Sequence, residues 1–156
     1  MFITTSRKSN ILSKRFSKYL SKYLPGVNFI PRGKTPLFKF FEKAKYFGHQ
    51  YFLESSFNQR NVILSMYVFR ENNFFLDREY LIEIIDLRHL KYFSYIKSIN
   101  NLILDNKKVF YFLPKKNISA KAKYQLFLSD ENIYSFLEDE FYLGFKFKIL
   151  TVTKFD

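Results

Sequence analysis

Two short basic segments combine residue types that bind anions in proteins. Residues 4–9 (TTSRKS) place two cations among hydroxyl groups just before a segment of helical periodicity, and residues 32–35 (RGKT) repeat this combination before a second one. Arginine can hold a phosphate through two hydrogen bonds, and the free N–H groups at a helix start attract negative charge. The glycine allows an anion to approach the backbone closely, although the glycine spacing of a Walker loop is missing. The alternative interpretation of each segment is a capped turn with solvated charges.

Positive charge is concentrated at the start of the chain. Residues 1–50 contain eleven lysines and arginines against the single acid Glu42, and so carry +10 of the formal net charge of +12. The remaining residues are close to neutral. A basic surface of this density fits a nucleic acid, an anionic membrane or an acidic protein. No apolar run approaches the roughly 18 residues of a membrane span, so we expect no transmembrane helix.

Residues suited to catalysis are few. The chain contains no cysteine, which excludes disulfides, thiolate nucleophiles and cysteine-ligated metals. Its two histidines, His49 and His89, stand in neither a metal-binding nor a triad-like spacing. The acidic run at residues 138–140 could bind Mg²⁺ in a nuclease, but a solvated helix face is the commoner reason for such a run. We therefore expect a non-enzymatic protein with no metal, no cofactor and no small-molecule substrate.

The first basic segment leads into a predicted amphipathic helix. From Ile11 the apolar residues follow a 3.6-residue rhythm as far as Leu24, and Pro25-Gly26 ends the pattern. Ser9 or Asn10 is the expected N-cap. The opposite face carries a basic stripe made of Lys14, Lys18 and Lys22.

A second helix is predicted from Thr35-Pro36, with a capping hydroxyl and proline at the first helical position, to Gly48. Strands expected at 1–5 and 27–30 alternate with these helices, an order that favours a parallel or mixed sheet. Further along, the pattern predicts strands at 50–56, 61–70, 74–87, 109–113, 124–128 and 146–153, and helices at 89–104 and 130–141.

The length of 156 residues indicates a single domain over residues 1–156. Because strands and helices recur in both halves, we expect a duplicated two-lobed α/β unit with lobes at 1–87 and 88–156. Residues 1–24 are basic, serine-rich and free of acids, which is also typical of a mitochondrial transit peptide. We prefer the interpretation that they are part of the fold, since no break in composition separates them from the patterned sequence that follows.

The order of these motifs resembles the Brix family of ribosome-biogenesis proteins. The matching stretches are TSRK at residues 5–8, LPG at 24–26 and RGKTPL at 32–37, and the length looks most like that of single-domain archaeal members. The match covers residues 2–48 well and 49–85 only in pattern, with NQRN in place of the Gly-Pro turn of the family. The resemblance implies an α/β fold, a two-lobed mixed sheet with covering helices, whose halves are similar to anticodon-binding domains. It also implies a non-catalytic role in binding ribosomal RNA during assembly.

The expected function is therefore that of an RNA-binding ribosome-assembly factor acting on precursor ribosomal RNA. The expected partners are ribosomal RNA or a pre-ribosomal particle, together with other assembly factors and no membrane. A cytoplasmic location is expected, with mitochondrial or nucleolar as the alternatives. A structural protein of a ribosome or mitochondrial complex is the main alternative function, and a metal-dependent nuclease a less favoured one. The residues expected to bind RNA are Arg7, Lys8, Lys14, Lys18, Lys22, Arg32 and Lys34.

Overall fold

The computed structural model describes residues 1–24, 26–88, 102–104, 124–128, 133–139 and 141–156. In this part of the chain there are two α-helices and nine β-strands. Neither of these helices is long and apolar enough to cross a membrane. In chain order the elements are β1 (Phe2–Thr5), α1 (Ile11–Tyr23), β2 (Asn28–Phe29), α2 (Leu37–Tyr46), β3 (Tyr51–Asn58), β4 (Asn61–Arg70), β5 (Asn73–Leu87), β6 (Leu102–Leu104), β7 (Tyr124–Leu128), β8 (Ile133–Glu138) and β9 (Phe141–Lys154).

All nine strands belong to one mixed sheet, in the order β2-β1-β3-β4-β5-β9-β8-β7-β6. β1 lies between β2 and β3 and runs parallel to both, as the β-α-β-α order predicts. β6 and β7 are also parallel, and the remaining neighbours are antiparallel. The α/β class and the mixed sheet with covering helices are thus confirmed.

The strand pairing repeats in the two halves of the sheet. In the first half, one parallel pairing (β1 with β3) is followed by two antiparallel ones (β3 with β4, and β4 with β5). The second half repeats this order, with β6 parallel to β7 and then antiparallel pairings of β7 with β8 and β8 with β9. The halves meet where β5 pairs antiparallel with β9, from Arg78 opposite Lys154 to Leu87 opposite Phe145. This repeat is the pattern expected of an internal duplication. The lobe boundary between residues 87 and 88 stays a prediction.

A capping box begins α1. Asn10 Oδ1 accepts a hydrogen bond from Ser13 N at 2.8 Å, and Ser13 Oγ accepts one from Asn10 N at 3.2 Å. Of the two expected N-caps, Asn10 is therefore the one used. One turn later the hydroxyls of Ser17 and Ser55 share a buried hydrogen bond that ties the helix to β3.

α1 packs against one face of the sheet and reaches both of its halves. Ile3 of β1 and Leu53 of β3 are fully buried in the same cluster as the helix residues. From the other half, the ring of Phe145 lies 5.8 Å from that of Phe16, and Phe136 stacks on Tyr23 at 4.9 Å. Residues 1–24 thus supply part of the core, which confirms that they belong to the fold.

α2 covers the opposite face of the sheet. Successive residues of a strand point to opposite faces, so Phe2 and Phe52 face α2 while their neighbours Ile3 and Leu53 face α1. Phe40 is the large buried side chain of α2 in this second, smaller cluster.

The start of α2 differs from the prediction. Pro36 occupies the N-cap position with extended backbone, and no side chain caps the helix, which begins at Leu37. The predicted capping role of Thr35 is therefore wrong. At the other end Phe47 is the C-cap, and Gly48 adopts φ +68°, a left-handed conformation that glycine reaches at little cost.

Two predicted helices are replaced by strands where the structure describes them. Residues 102–104, predicted as the end of a helix, pair with β7, and residues 133–138, predicted as helix, form β8 between β7 and β9. Aromatic and β-branched residues favour a strand where neighbouring strands offer hydrogen bonds, and this outweighs a short apolar spacing that also fits a helix. The other described strands were predicted, although β9 begins five residues early, at Phe141 rather than Lys146. The predicted helix residues 89–101 and the strand at 109–113 lie outside the described residues.

Phe40 and Phe38 provide a test of the phase of α2. Phe40 is 5% exposed and Phe38 is 57% exposed on the same helix. Phe40→Ala is expected to lower the free energy of unfolding by about 3–5 kcal/mol, because it leaves a cavity beneath the helix. Phe38→Ala should cost less than about 1 kcal/mol. Urea unfolding of both variants measures the difference, and equal losses would contradict the observed phase.

Candidate nucleic-acid interface

The two basic segments leave the sheet at the same edge. β1 and β2 are parallel, so the loops that follow them, residues 6–10 and 30–36, emerge on one side. Arg7 Nη2 donates a hydrogen bond to the backbone oxygen of Lys34 at 3.1 Å and joins the loops directly. The structure thus brings together two segments that are far apart in the sequence.

Backbone hydrogen bonds hold both loops in place. In the first loop, Ser6 N donates to Ser55 O of β3 at 2.7 Å. In the second, Thr35 N donates to Arg32 O at 3.2 Å and closes a turn in which Gly33 adopts φ +54°. Nothing lies within 4 Å of where a Cβ would stand on Gly33. A larger residue would therefore have room there, and glycine is favoured because it adopts a positive φ at little cost. Both loops therefore present defined surfaces to solvent.

Three of the predicted RNA-binding side chains are exposed at this edge: Arg7, Lys8 and Lys34. A phosphate bound here would meet three cations, and the N-terminal end of α1 would add the positive pole of the helix dipole. We call these three residues the cationic edge. Its chemistry suits an anion such as a phosphate.

Arg32 has a different environment from the other predicted site residues. Its side chain is 9% exposed, and its guanidinium lies over the ring of Phe40 at 5.5 Å, beneath α2. Arg32 Nη1 is 3.6 Å from Glu54 Oε1, an ion pair without a direct hydrogen bond. This position makes Arg32 a link between the second loop and the sheet. Its assignment to phosphate binding stays a prediction.

Glu54 is the partner that holds Arg32. Burial raises the pKa of the Glu54 carboxyl above its ordinary value of 4.5, and nearby Glu79 adds to the rise. The positive charge of Arg32 and a hydrogen bond from Tyr67 Oη, at 3.3 Å, oppose it. Burial also raises the pKa of Tyr67, and the charge of Glu54 raises it further, so this hydroxyl stays a donor. Through Arg32, the charges of Glu54 and its neighbours therefore hold the second loop against the sheet.

The lysine stripe of α1 lies on the other face of the sheet from α2. Lys14 and Lys18 are exposed, Lys22 is half-buried, and Lys18 Nζ lies over the ring of Phe29 at 5.9 Å. Because α1 starts beside the cationic edge, Lys14 is the nearest member along the chain. The stripe extends about 12 Å from Lys14 to Lys22 along the helix axis.

Arg60 is a further cation at this edge. It lies in the turn between β3 and β4, where Gln59 has φ +55°, and its side chain is exposed. β3 runs parallel to β1, so its end points to the same side as the cationic edge. The sequence places Arg60 in a turn, but only the pairing of β1 with β3 reveals which loops are its neighbours.

The residues considered for catalysis are not assembled into a metal site. Among the described residues, no group of three or more histidine, aspartate or glutamate side chains could hold a metal ion. Glu138 ends β8 and Asp139 lies in the turn before β9, rather than on the predicted helix, while Glu140 and His89 lie outside the described residues. His49 packs its ring edge-on against Phe2 at 4.5 Å.

Comparison with solved structures supports the fold. The crystal structure of Mil, an archaeal Imp4-like protein, matches with a TM-score of 0.71 and 18% identity, covering 99% of each chain. That of a probable ribosomal biogenesis protein from Aeropyrum pernix K1 matches with a TM-score of 0.59 and 16% identity, covering 98% of each chain. No family model matches the sequence, and no curated protein matches it significantly. The fold implied by the Brix resemblance is thus confirmed.

Replacing Glu54 tests whether burial, which raises the pKa of its carboxyl, outweighs the attraction to Arg32, which lowers it. With its pKa raised above 4.5, the folded protein keeps this proton to a higher pH than the unfolded chain does. The contribution of the carboxyl to stability is therefore fully present below pH 4.5 and is lost as the pH rises through the folded pKa. The free energy of unfolding of the native protein minus that of Glu54→Gln should fall with increasing pH, measured by urea unfolding.

Glu42→Gln, on the exposed side of α2, is the control for losing one negative charge from the basic half. If the difference for Glu54→Gln instead rises with pH, attraction to Arg32 outweighs burial and the assigned direction is wrong.

Proposed function

We propose that this protein is a non-catalytic RNA-binding factor in ribosome assembly, acting on precursor ribosomal RNA in the cytoplasm. The observation that carries the proposal is the cationic edge, where the hydrogen bond from Arg7 to Lys34 joins two loops into one basic surface. Nucleic-acid phosphates are the ligands that such a surface suits best. The fold shared with Mil and with the Aeropyrum pernix protein supports the same proposal.

The charge distribution supports RNA as the partner. The cationic edge, Arg60 and the lysine stripe all belong to the first 60 residues, so the basic surface comes from one half of the chain. Phosphate contacts fix the position of a protein on RNA without reading its sequence. The protein would therefore take its specificity from the shape of the RNA or from other proteins of a pre-ribosomal particle.

A structural protein of the ribosome or of a mitochondrial complex would use the same surface. Sedimentation of cell extracts distinguishes the two roles. An assembly factor should be found with precursor particles and be absent from mature subunits, whereas a structural protein should stay on the mature subunits. Precursor RNA that is cleaved in the presence of Mg²⁺ by the purified protein would support the nuclease alternative instead.

The cationic edge can be tested by the salt dependence of RNA binding. Each phosphate contact contributes about 0.7 to the slope of log affinity against log salt for a single strand. Arg7→Gln combined with Lys34→Gln should therefore make the slope for a ribosomal RNA fragment shallower by about 1.4. Both side chains are exposed and backbone hydrogen bonds hold each loop without them, so the melting temperature should change little.

Lys148→Gln combined with Lys154→Gln removes the same charge from β9 and is the matched control. We expect the control to leave the slope close to that of the native protein. Equal changes in the two double variants would mean diffuse attraction to net charge, with no binding surface at the cationic edge.

A further inference from the structure

Aromatic rings are exposed where α2 ends. Tyr46 is 85% exposed and Phe47 is 57% exposed. The two rings meet edge to face at 5.3 Å, and the ring of His49 stacks against Phe47 with centroids 6.2 Å apart. We call Tyr46, Phe47 and His49 the ring platform. Exposed rings grouped in this way are a common feature of binding sites.

The ring platform packs against a buried residue of the sheet. Phe2 is buried, and it contacts Phe47 at 5.8 Å and His49 at 4.5 Å, both edge to face. Phe40 and Ala44 are the residues of α2 that are buried against the sheet, and Tyr46 takes no part in this packing. Burial lowers the pKa of His49 below 6.5, and the imidazole is therefore mainly neutral at pH 7. The platform thus presents supported, uncharged ring surfaces to solvent.

Lysines lead along α2 to the ring platform. Lys39, Lys43 and the C-cap Phe47 are spaced four residues apart, so they lie in one row along one side of the helix. Both lysines are exposed, and Lys43 Nζ also lies 5.6 Å from the centre of the Phe2 ring. Lys45 adds a third exposed cation in the last turn.

The row is continuous with the cationic edge. α2 begins three residues after Lys34 and runs back across the sheet, since β3 follows it and is parallel to β1. Cations therefore follow one another from the first loops to the ring platform. A bound molecule that spans them must carry repeated negative charge and also flat apolar groups, which are the properties of a single nucleic-acid strand with unpaired bases.

We propose that the ring platform stacks on an unpaired nucleobase of an RNA strand, while Lys39 and Lys43 bind the phosphates next to it. This inference rests on the proposed function and makes it more specific, because it identifies the ligand as single-stranded RNA. Stacking on aromatic side chains tolerates any base, since every base has a π-face. Paired bases in a duplex cannot reach the platform.

The test compares two synthetic strands bound by the full chain. One is a uridine decamer, and the other is an abasic decamer with the same number of phosphates. The native protein should bind the strand with bases about 5- to 150-fold more tightly, the range expected for stacking of one base. Tyr46→Ala should remove most of this preference and leave the affinity for the abasic strand unchanged. Tyr46→Phe should restore the preference because it keeps the ring.

Two controls separate stacking from charge and from general exposure of rings. Phe141→Ala removes a ring that is 77% exposed at the start of β9 and should leave the preference intact. Lys39→Gln combined with Lys43→Gln should weaken binding of both strands by a similar factor. Tyr46 is exposed, so its variants should melt at the temperature of the native protein.

Several outcomes would overturn the proposal. If the native protein binds both strands equally, stacking is absent while RNA binding stands. If it binds neither strand at any salt concentration, the proposed function fails as well. If Tyr46→Ala abolishes binding to phosphatidylserine vesicles but leaves the preference between strands intact, the platform contacts a membrane surface instead.

Discussion

Ring packing between α1 and the strands β8 and β9 is the interaction on which the rest of the structure depends. Phe16 and Tyr23 contribute rings from the helix, and Phe136, Phe145 and Phe147 contribute rings from the far half of the sheet. Such pairs add about 0.5–1.5 kcal/mol each beyond the burial of their surface. The buried hydrogen bond between Ser17 and Ser55 contributes a net 1 kcal/mol or so. The ring contacts thus join α1 to the far half of the sheet, in addition to the backbone pairing of β5 with β9.

This packing also decides where the charge lies. With its aromatic face against the sheet, α1 can place Lys14 and Lys18 only on the outside, and its N-terminus at the edge where β1 ends. Burying lysine without a partner is costly, so the amphipathic pattern and the basic surface are two results of the same constraint.

Arg32 shows how a charge can serve the fold. A buried guanidinium needs a counter-charge, which Glu54 supplies from β3, and the ring of Phe40 in α2 adds a cation–π contact. The ion pair fastens the second loop to the sheet and leaves the neighbouring Lys34 in solvent. One short RGK segment therefore contains a buried cation that links the loop to the sheet and another that is exposed to solvent.

The sequence by itself determined the features that depend on neighbouring residues. The periodicity from Ile11 to Leu24 predicted α1, the polar residues before it predicted a cap, and the alternation with short strands predicted a mixed α/β sheet. The count of charges placed the basic surface in the first fifty residues. All these properties are local, because hydrophobic spacing records which side of a segment is buried.

Only the tertiary structure decided the features that depend on distant partners. The residues at 102–104 and 133–138 are strands because other strands pair with them, and their own spacing fits either type of element. Arg32 is buried because Glu54 meets it from another strand, whereas Arg7 and Lys34 meet because parallel strands end at one edge. The sequence likewise could not show that Phe47, which follows the last residue of α2, stays largely in solvent although its ring contacts Phe2. Its exposure depends on which strands and loops the fold places beside the end of the helix.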